Sequence, residues 1–282
     1  MNENLLNETF NPSESYYRKA QLDLDFWFQV AQVDYEELIK KYSFDELFCS
    51  LNQDRINLLD LGCGTAKFPS LLDRAIVSNI HVSADLLDIS ESCLEIAKSQ
   101  YNFLKHFKVN KTYLSAIENL HLSISGCHDY DVIWAIHSLW TIDKSKVKDM
   151  YLYCLSLLKA NGKLLIYQLS QDSDYHKFYS FYRDHYLKPD SSTTVLTSED
   201  HQKILDALRV KYEIVKLHFS HKIDAERQDL LKFYLQKCIL NEDPDVTGRF
   251  HTLLEEGFDR DKKQYEFAQV VDLLIIEKFE NK

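Results

Sequence analysis

Short apolar runs of strand length alternate along the chain with segments whose apolar positions recur at helical spacing. Ile56-Asn57-Leu58-Leu59-Asp60-Leu61 reads as a strand, and Phe68-Pro69-Ser70-Leu71-Leu72 as the start of the helix beyond it. Ile80 to Asp85 is predicted as a second strand, followed by a helix from Ser90 to Lys98 with Ser90 as its cap. Tyr130 to Ile136 forms a third strand, Lys144 to Lys159 a helix stopped by Asn161-Gly162, and Lys163 to Tyr167 the next strand. The cluster Thr197-Ser198-Glu199-Asp200 opens a helix that runs to about Leu208, and two late strands follow, Tyr212 to Phe219 and Val270 to Ile276.

This alternation predicts an α/β fold: a mostly parallel sheet with helices on both faces and an antiparallel edge supplied by the late strands. Residues 1–50 and about 226–266 fall outside the alternation and read as mainly helical, a cap over the active edge of the sheet. The expected division is an N-terminal helical lid over 1–50, a ligand-binding Rossmann-like core over 51–225, and a helical cap segment with the final strand over 226–282.

Composition narrows the partners. Of the 282 residues 45% are hydrophobic and 27% charged, the balance of a globular protein. Acidic residues outnumber basic ones 44 to 33, the net charge is −11, and no Lys/Arg run occurs, which argues against a nucleic-acid or anionic-membrane partner. No stretch approaches the roughly 18 consecutive apolar residues of a membrane span, and Met1-Asn2-Glu3-Asn4-Leu5-Leu6 lacks a leader's basic and apolar regions. A soluble, cytoplasmic monomer is therefore expected. The six cysteines, Cys49, Cys63, Cys93, Cys127, Cys154 and Cys238, form no CxxC pair and read as reduced, mostly buried thiols, with no zinc site and no other metal expected.

With only six glycines in the chain, the pair Gly62 and Gly64 stands out. They lie in Asp60-Leu61-Gly62-Cys63-Gly64-Thr65-Ala66, between a strand and a helix, where an α/β sheet binds a nucleotide-like ligand. The loop completes neither GxGxxG nor a GK[ST] ending, so a pyrophosphate is disfavoured. A carboxylate at Asp60 suits a cation such as a sulfonium amino acid. Asp88, just past the second strand in Asp85-Leu86-Leu87-Asp88-Ile89-Ser90, can accept two hydrogen bonds from a ribose diol, with Asp85 as its rival.

Leu58-Leu59-Asp60-Leu61-Gly62-Cys63-Gly64-Thr65 resembles the first motif of class I S-adenosylmethionine-dependent methyltransferases. The acid one strand later and Leu157-Leu158-Lys159-Ala160-Asn161-Gly162-Lys163-Leu164-Leu165-Ile166 follow in that family's order, while Ala66 departs from its frequent third glycine. The resemblance implies S-adenosylmethionine as cofactor, S-adenosylhomocysteine as its product, and a cofactor site of Asp60, Gly62, Gly64, Asp88, Ile89, Ser115 and Ile136.

Asp131-Val132-Ile133-Trp134-Ala135-Ile136-His137-Ser138-Leu139-Trp140, Thr197-Ser198-Glu199-Asp200 and Val270-Val271-Asp272-Leu273-Leu274-Ile275-Ile276-Glu277 resemble one branch, histamine N-methyltransferase and its relatives. That likeness implies a small amine-type acceptor touched by His137 and Gln269, with Tyr175 and Tyr179 replacing pocket tryptophans. The branch's carboxylate on the first helix has no clean match; the count falls near Val30, beside Gln29, Gln32 and Asp25. Ile136-His137-Ser138-Leu139-Trp140 also lacks the Pro-Pro-aromatic loop of DNA amino-methyltransferases.

From the residues themselves, His137 lies just beyond a strand's carboxyl end, as a general base, a hydrogen-bond acceptor or a structural histidine. The other ten histidines show no ligand spacing and are expected at the surface. Tyr175, Phe178, Tyr179 and Tyr182 share a helical face, and with Tyr17 they form either plain core or a cation–π cage. The reaction expected is direct in-line methyl transfer to nitrogen of a small amine, imidazole or guanidine. The alternatives are a small-molecule O-methyltransferase and a non-catalytic S-adenosylmethionine-binding protein.

Overall fold

The computed structural model describes residues 24–51, 53–125, 129–187 and 195–278. Two helices, α1 (Leu24–Lys41) and α2 (Phe44–Ser50), precede β1 (Arg55–Leu61), α3 (Lys67–Leu72), β2 (His81–Asp88), α4 (Glu91–Tyr101) and β3 (Phe107–Leu114). The short α5 (Leu120–Ser123) leads to β4 (Tyr130–Ile136), α6 (Lys144–Leu157), β5 (Leu158–Leu169), α7 (Asp174–Tyr186) and α8 (Ser198–Ala207). The remainder is β6 (Tyr212–Asp224), α9 (Gln228–Ile239), α10 (Val246–Arg249), α11 (His251–Glu256), β7 (Phe258–Asp259) and β8 (Gln264–Glu277).

The strands form one sheet in the order β3-β2-β1-β4-β5-β8-β6, with β7 paired to β8. Strands β1 to β5 run parallel to one another, and β8 pairs antiparallel with both β5 and β6. Burial explains the continuous apolar runs. Along β4, Val132, Trp134 and Ile136 join the core on the α1–α4 side, while Ile133 and Ala135 join the core packed by α6 and α8. A strand covered on both faces has no solvent face to keep polar. The order reverses between β1 and β4, so the carboxyl ends of these two strands flank a crevice.

The expected helix starts are present: Ser90 Oγ accepts the Cys93 N–H, and Thr197 with Asp200 forms a capping box. Helix α6 stops at Leu157 and not at Lys159, because Leu158 already has extended backbone and pairs with Tyr130. The late strands are longer than their apolar runs. β6 and β8 stay paired out to Asp224↔Gln264, whereas the β5–β8 pairing ends at Leu169↔Val271. The overhanging half of this hairpin supports α1, α7 and α9 to α11 around a third core that includes Val30, Phe178, Ile223, Leu231, Phe250 and Phe267. Among the described residues no helix is long and apolar enough to cross a membrane. Cys63, Cys154 and Cys238 are buried free thiols, Cys93 is half-buried and Cys49 exposed.

Candidate active site

The crevice beyond β1 and β4 opens into a cavity of about 1050 Å³ that continues beneath α1 and the hairpin. At one end lies the glycine loop. Gly62 has φ +71° and Gly64 φ +51°, both in the left-handed region where a side chain is strained. The Gly62 and Cys63 N–H groups donate to the Leu87 carbonyl at 2.8 and 3.1 Å, tying the loop to β2. A Cβ on Gly62 would meet Ser138 Cβ at 2.5 Å, whereas one on Gly64 would meet nothing within 4 Å. The first glycine lets the chain after β4 approach; the second leaves its space to the cavity.

Asp88 ends β2. Its Oδ2 accepts the Gly64 N–H and its Oδ1 the Ser90 N–H, both at 2.9 Å, and burial raises its pKa against the pull of those bonds. Asp60 is 4% exposed, and its pKa rises to about 7, mainly because burial strips water from the carboxylate. The Trp134 indole N–H lies near enough to offset part of that rise but completes no hydrogen bond, and the charge of Asp88 adds to it. Ionising Asp60 in this cleft costs on the order of 4 kcal/mol relative to water. Among the described residues neither carboxylate has a basic partner. The Asp60–Asp88 pair, with the unpartnered Thr65 Oγ1 and Trp134 Nε1, fits a ligand that is cationic and rich in polar atoms. Asp85, the rival acid, is taken up by Asn110 at 2.8 Å and Tyr130 at 2.6 Å and does not line the cavity.

At the other end of the cavity, His137 follows β4 with φ +54°, a left-handed conformation fixed by its N–H bond to the Tyr167 carbonyl at 2.9 Å. Its ring lies 4.5 Å from that of Tyr167, and burial lowers its pKa, Asp34 opposing and His221 adding to the effect, so the ring is neutral at pH 7. Trp27 and Asp34 enter from α1, Trp140 from the loop after β4, Tyr175 from α7, His221 from β6 and Gln269 from β8. Trp27 stacks on Tyr234 and meets Tyr175 edge-on, and Trp140 meets Tyr175 edge-on at 4.8 Å.

Asp60, Gly62, Gly64, Asp88, Ile89, Ser115, Ile136, His137, Tyr175 and Gln269 all line this one cavity. Tyr179 does not: it is 1% exposed within the third core. Tyr175 and Tyr179 share a helix face but lie one turn apart, and only the first turn of α7 reaches the cavity wall. Tyr17 lies outside the described residues. The histidines expected at the surface include three that are buried, His106, His201 and His221, each with a ring nitrogen hydrogen-bonded to Ile80 O, Tyr151 OH or Asp34. Asp25 lines the cavity mouth and pairs with Lys67.

The residues missing from the sequence reading are Trp27, Asp34, Trp140 and His221. Asp34 carried a signal. It falls on the apolar stripe of α1 among Ala31 and Leu38 and is itself 5% exposed, and a carboxylate in such a stripe marks a site or a buried pair.

Residues 59–164 match the family model described as a methyltransferase domain. No curated protein sequence matches the chain. Among solved structures, the YcgJ protein of Bacillus subtilis is similar at a TM-score of 0.56 and 12% identity, covering 89% of this chain and 100% of its own. A methyltransferase of Thermotoga maritima described as a possible histamine N-methyltransferase is similar at 0.52 and 12% identity, over 95% and 100%. The plantazolicin methyltransferase BpumL, solved with S-adenosylhomocysteine, gives 0.53 and 12% identity over 95% of both chains. The mostly parallel sheet with its antiparallel edge is the Rossmann-like methyltransferase fold. Residues 59–164 thus match a methyltransferase domain, and the chain as a whole has the fold of S-adenosylmethionine-dependent methyltransferases.

Proposed function

We propose that this enzyme transfers the methyl group of S-adenosylmethionine to nitrogen of a small amine, imidazole or guanidine metabolite. The observation that carries this reading is the far end of the cavity, whose lining includes the buried Asp34 and the aromatic residues Trp27, Trp140 and Tyr175. Such a wall attracts a cationic nitrogen by charge and by cation–π contact, and α1 and the hairpin roof it over.

The sulfonium supplies a methyl group already activated for in-line displacement. Asp88 presents its carboxylate to the ribose diol, Asp60 balances the cationic end of the cofactor, Ile89, Ser115 and Ile136 line its slot, and the turn at Gly62 and Gly64 lets the backbone come close. The chain's remaining work is to align the nucleophile and exclude water. His137 and Gln269 lie at the acceptor end. Gln269 Nε2 is already used by the Phe267 carbonyl at 3.1 Å, whereas His137, which lines the cavity, has a buried Nε2 with no partner.

Asp60 makes cofactor binding pH-dependent. Its carboxyl is largely protonated below about pH 7 in the free enzyme, and a bound cation favours the ionised form. Affinity for S-adenosylmethionine therefore rises with pH through about 7 and levels off above about 8, falling roughly tenfold per pH unit on the acid side. Calorimetry near pH 7 in buffers of different ionisation enthalpy will show proton release on binding; pH-independent affinity between 6 and 8 would remove Asp60 from the site.

Acceptor class is tested by incubating the enzyme with S-adenosylmethionine and separate pools of small amines, imidazoles, guanidines and hydroxylated metabolites, with mass-spectrometric detection. The expected result is methylated nitrogen with one S-adenosylhomocysteine per methyl. Methylation confined to the hydroxylated pool would make the enzyme an O-methyltransferase, and cofactor binding with no transfer to any pool would leave a binding protein.

A further inference from the structure

A row of polar groups converges on Asp34 from elements outside the matched methyltransferase segment. His221 Nε2 lies 3.0 Å from Asp34 Oδ1, and His221 Nδ1 lies 3.0 Å from the Tyr234 hydroxyl. An ionised carboxylate only accepts, so the His221 proton sits on Nε2 and Nδ1 accepts from the Tyr234 O–H. Gln269 Nε2 in turn donates to the Tyr234 oxygen at 3.4 Å. Each donor in the row points toward Asp34. The backbone is held as well, because the Tyr167 hydroxyl donates to the Asp34 carbonyl at 3.0 Å.

This arrangement uses one carboxylate oxygen and leaves the other on the side of His137. Asp34 Oδ2 lies 3.8 Å from His137 Nε2, beyond hydrogen-bond reach, and that ring nitrogen is buried with no partner. An imidazole with an idle buried nitrogen beside an idle carboxylate oxygen is poised to gain a proton. The groups facing His137 are Asp34 and Tyr35 from α1, Tyr167 from β5 and His221 from β6.

We propose that His137 takes the proton from the incoming nucleophile and that Asp34, held in place by His221 and Tyr234, is the positioning residue that stabilises the imidazolium formed. This rests on the nitrogen-acceptor reading above. In the step, the acceptor's N–H bond breaks and its electron pair stays on nitrogen, while a new bond joins the proton to His137 Nε2. The ring then carries the positive charge opposite Asp34 Oδ2, and closing the gap to an ion pair keeps the proton from returning. The freed lone pair is the nucleophile for the methyl group. His221 never needs to give up its own proton: it fixes which carboxylate oxygen is free, as the orienting member of such triads does.

The test is a pH titration of the full chain, 15N-labelled at histidine, followed by ring ¹H–¹⁵N spectra, with calorimetric binding of S-adenosylhomocysteine as a parallel readout. In the unmodified enzyme His221 is expected as the single Nε2–H tautomer. Asp34→Asn removes the charge facing His137, so the His137 midpoint falls by about one pH unit, while Asp34→Glu, which keeps the charge, restores most of it. His221→Gln leaves Asp34 unsteered, and the His137 midpoint shifts in the same direction by less. A His137 midpoint unmoved by Asp34→Asn, in a variant that still binds S-adenosylhomocysteine, would overturn the relay alone. Failure of the unmodified enzyme to bind S-adenosylhomocysteine would instead overturn the methyltransferase reading beneath it.

Discussion

Replacing Asp88 with alanine is expected to weaken S-adenosylmethionine binding by at least about 100-fold, equivalent to ~3 kcal/mol. The carboxylate has three tasks that alanine cannot share. It holds the glycine loop by accepting the Gly64 N–H, and it starts α4 by accepting the Ser90 N–H, both at 2.9 Å. From the same position it faces the cavity, where on the proposed function it accepts from the ribose hydroxyls. Hydrogen bonds to a charged group each contribute about 1.5–3 kcal/mol, so losing the ribose pair and loosening the loop together reach the stated figure. Asp88→Asn keeps one acceptor oxygen and should fall between the two. Calorimetry on folded variants, checked by circular dichroism, measures this; an affinity within about threefold of the unmodified enzyme would mean that the ribose is held elsewhere.

Gly62→Ala should be more damaging still, and Gly64→Ala much less, although the two residues look alike in the loop. At Gly62 the backbone is left-handed and the new Cβ would meet Ser138 Cβ at 2.5 Å. Ser138 cannot easily retreat, since its hydroxyl donates to the Leu61 carbonyl at 2.5 Å and His137 beside it is fixed by the Tyr167 carbonyl. The left-handed strain costs about 1–2 kcal/mol and the overpacking about 1–3 kcal/mol. A clear drop in urea midpoint is expected, with cofactor affinity reduced on the order of 1000-fold as the loop and His137 are pushed apart. At Gly64 only the left-handed strain applies, because no atom lies within 4 Å of the added Cβ. Equal stability loss in the two variants would show that the approach of Ser138 does not set the loop.

The contrast between these glycines could not be read from the sequence, which shows two similar residues in one motif. What local chemistry encodes was legible: the strand, loop and helix around Gly62, the acid at the end of β2, and the caps at Ser90 and Thr197. The edge strand β3 was not. Phe107 to Leu114 is rich in lysine, asparagine and threonine, because it pairs on one side only and much of it meets solvent. The outer half of the β6–β8 hairpin escaped for a related reason: Lys222 and Glu266 sit among its apolar positions, and no continuous run marks it. The far end of the cavity depends on that hairpin. Asp34 and His221 are 187 residues apart in sequence and meet only because the hairpin overhangs the sheet and carries α1 against it. Helical periodicity identified the aromatic face of α7 but not its depth, so Tyr175 and Tyr179 looked equivalent although only the first reaches the cavity.

Whether the crevice beyond β1 and β4 is an S-adenosylmethionine site is decided by calorimetric titration of the full chain. S-adenosylmethionine and S-adenosylhomocysteine are each expected to bind at one site per chain near pH 8, to compete with each other, and to lose affinity together in Asp88→Ala. A folded protein that binds neither compound, or that binds both unchanged after Asp88→Ala, would contradict it.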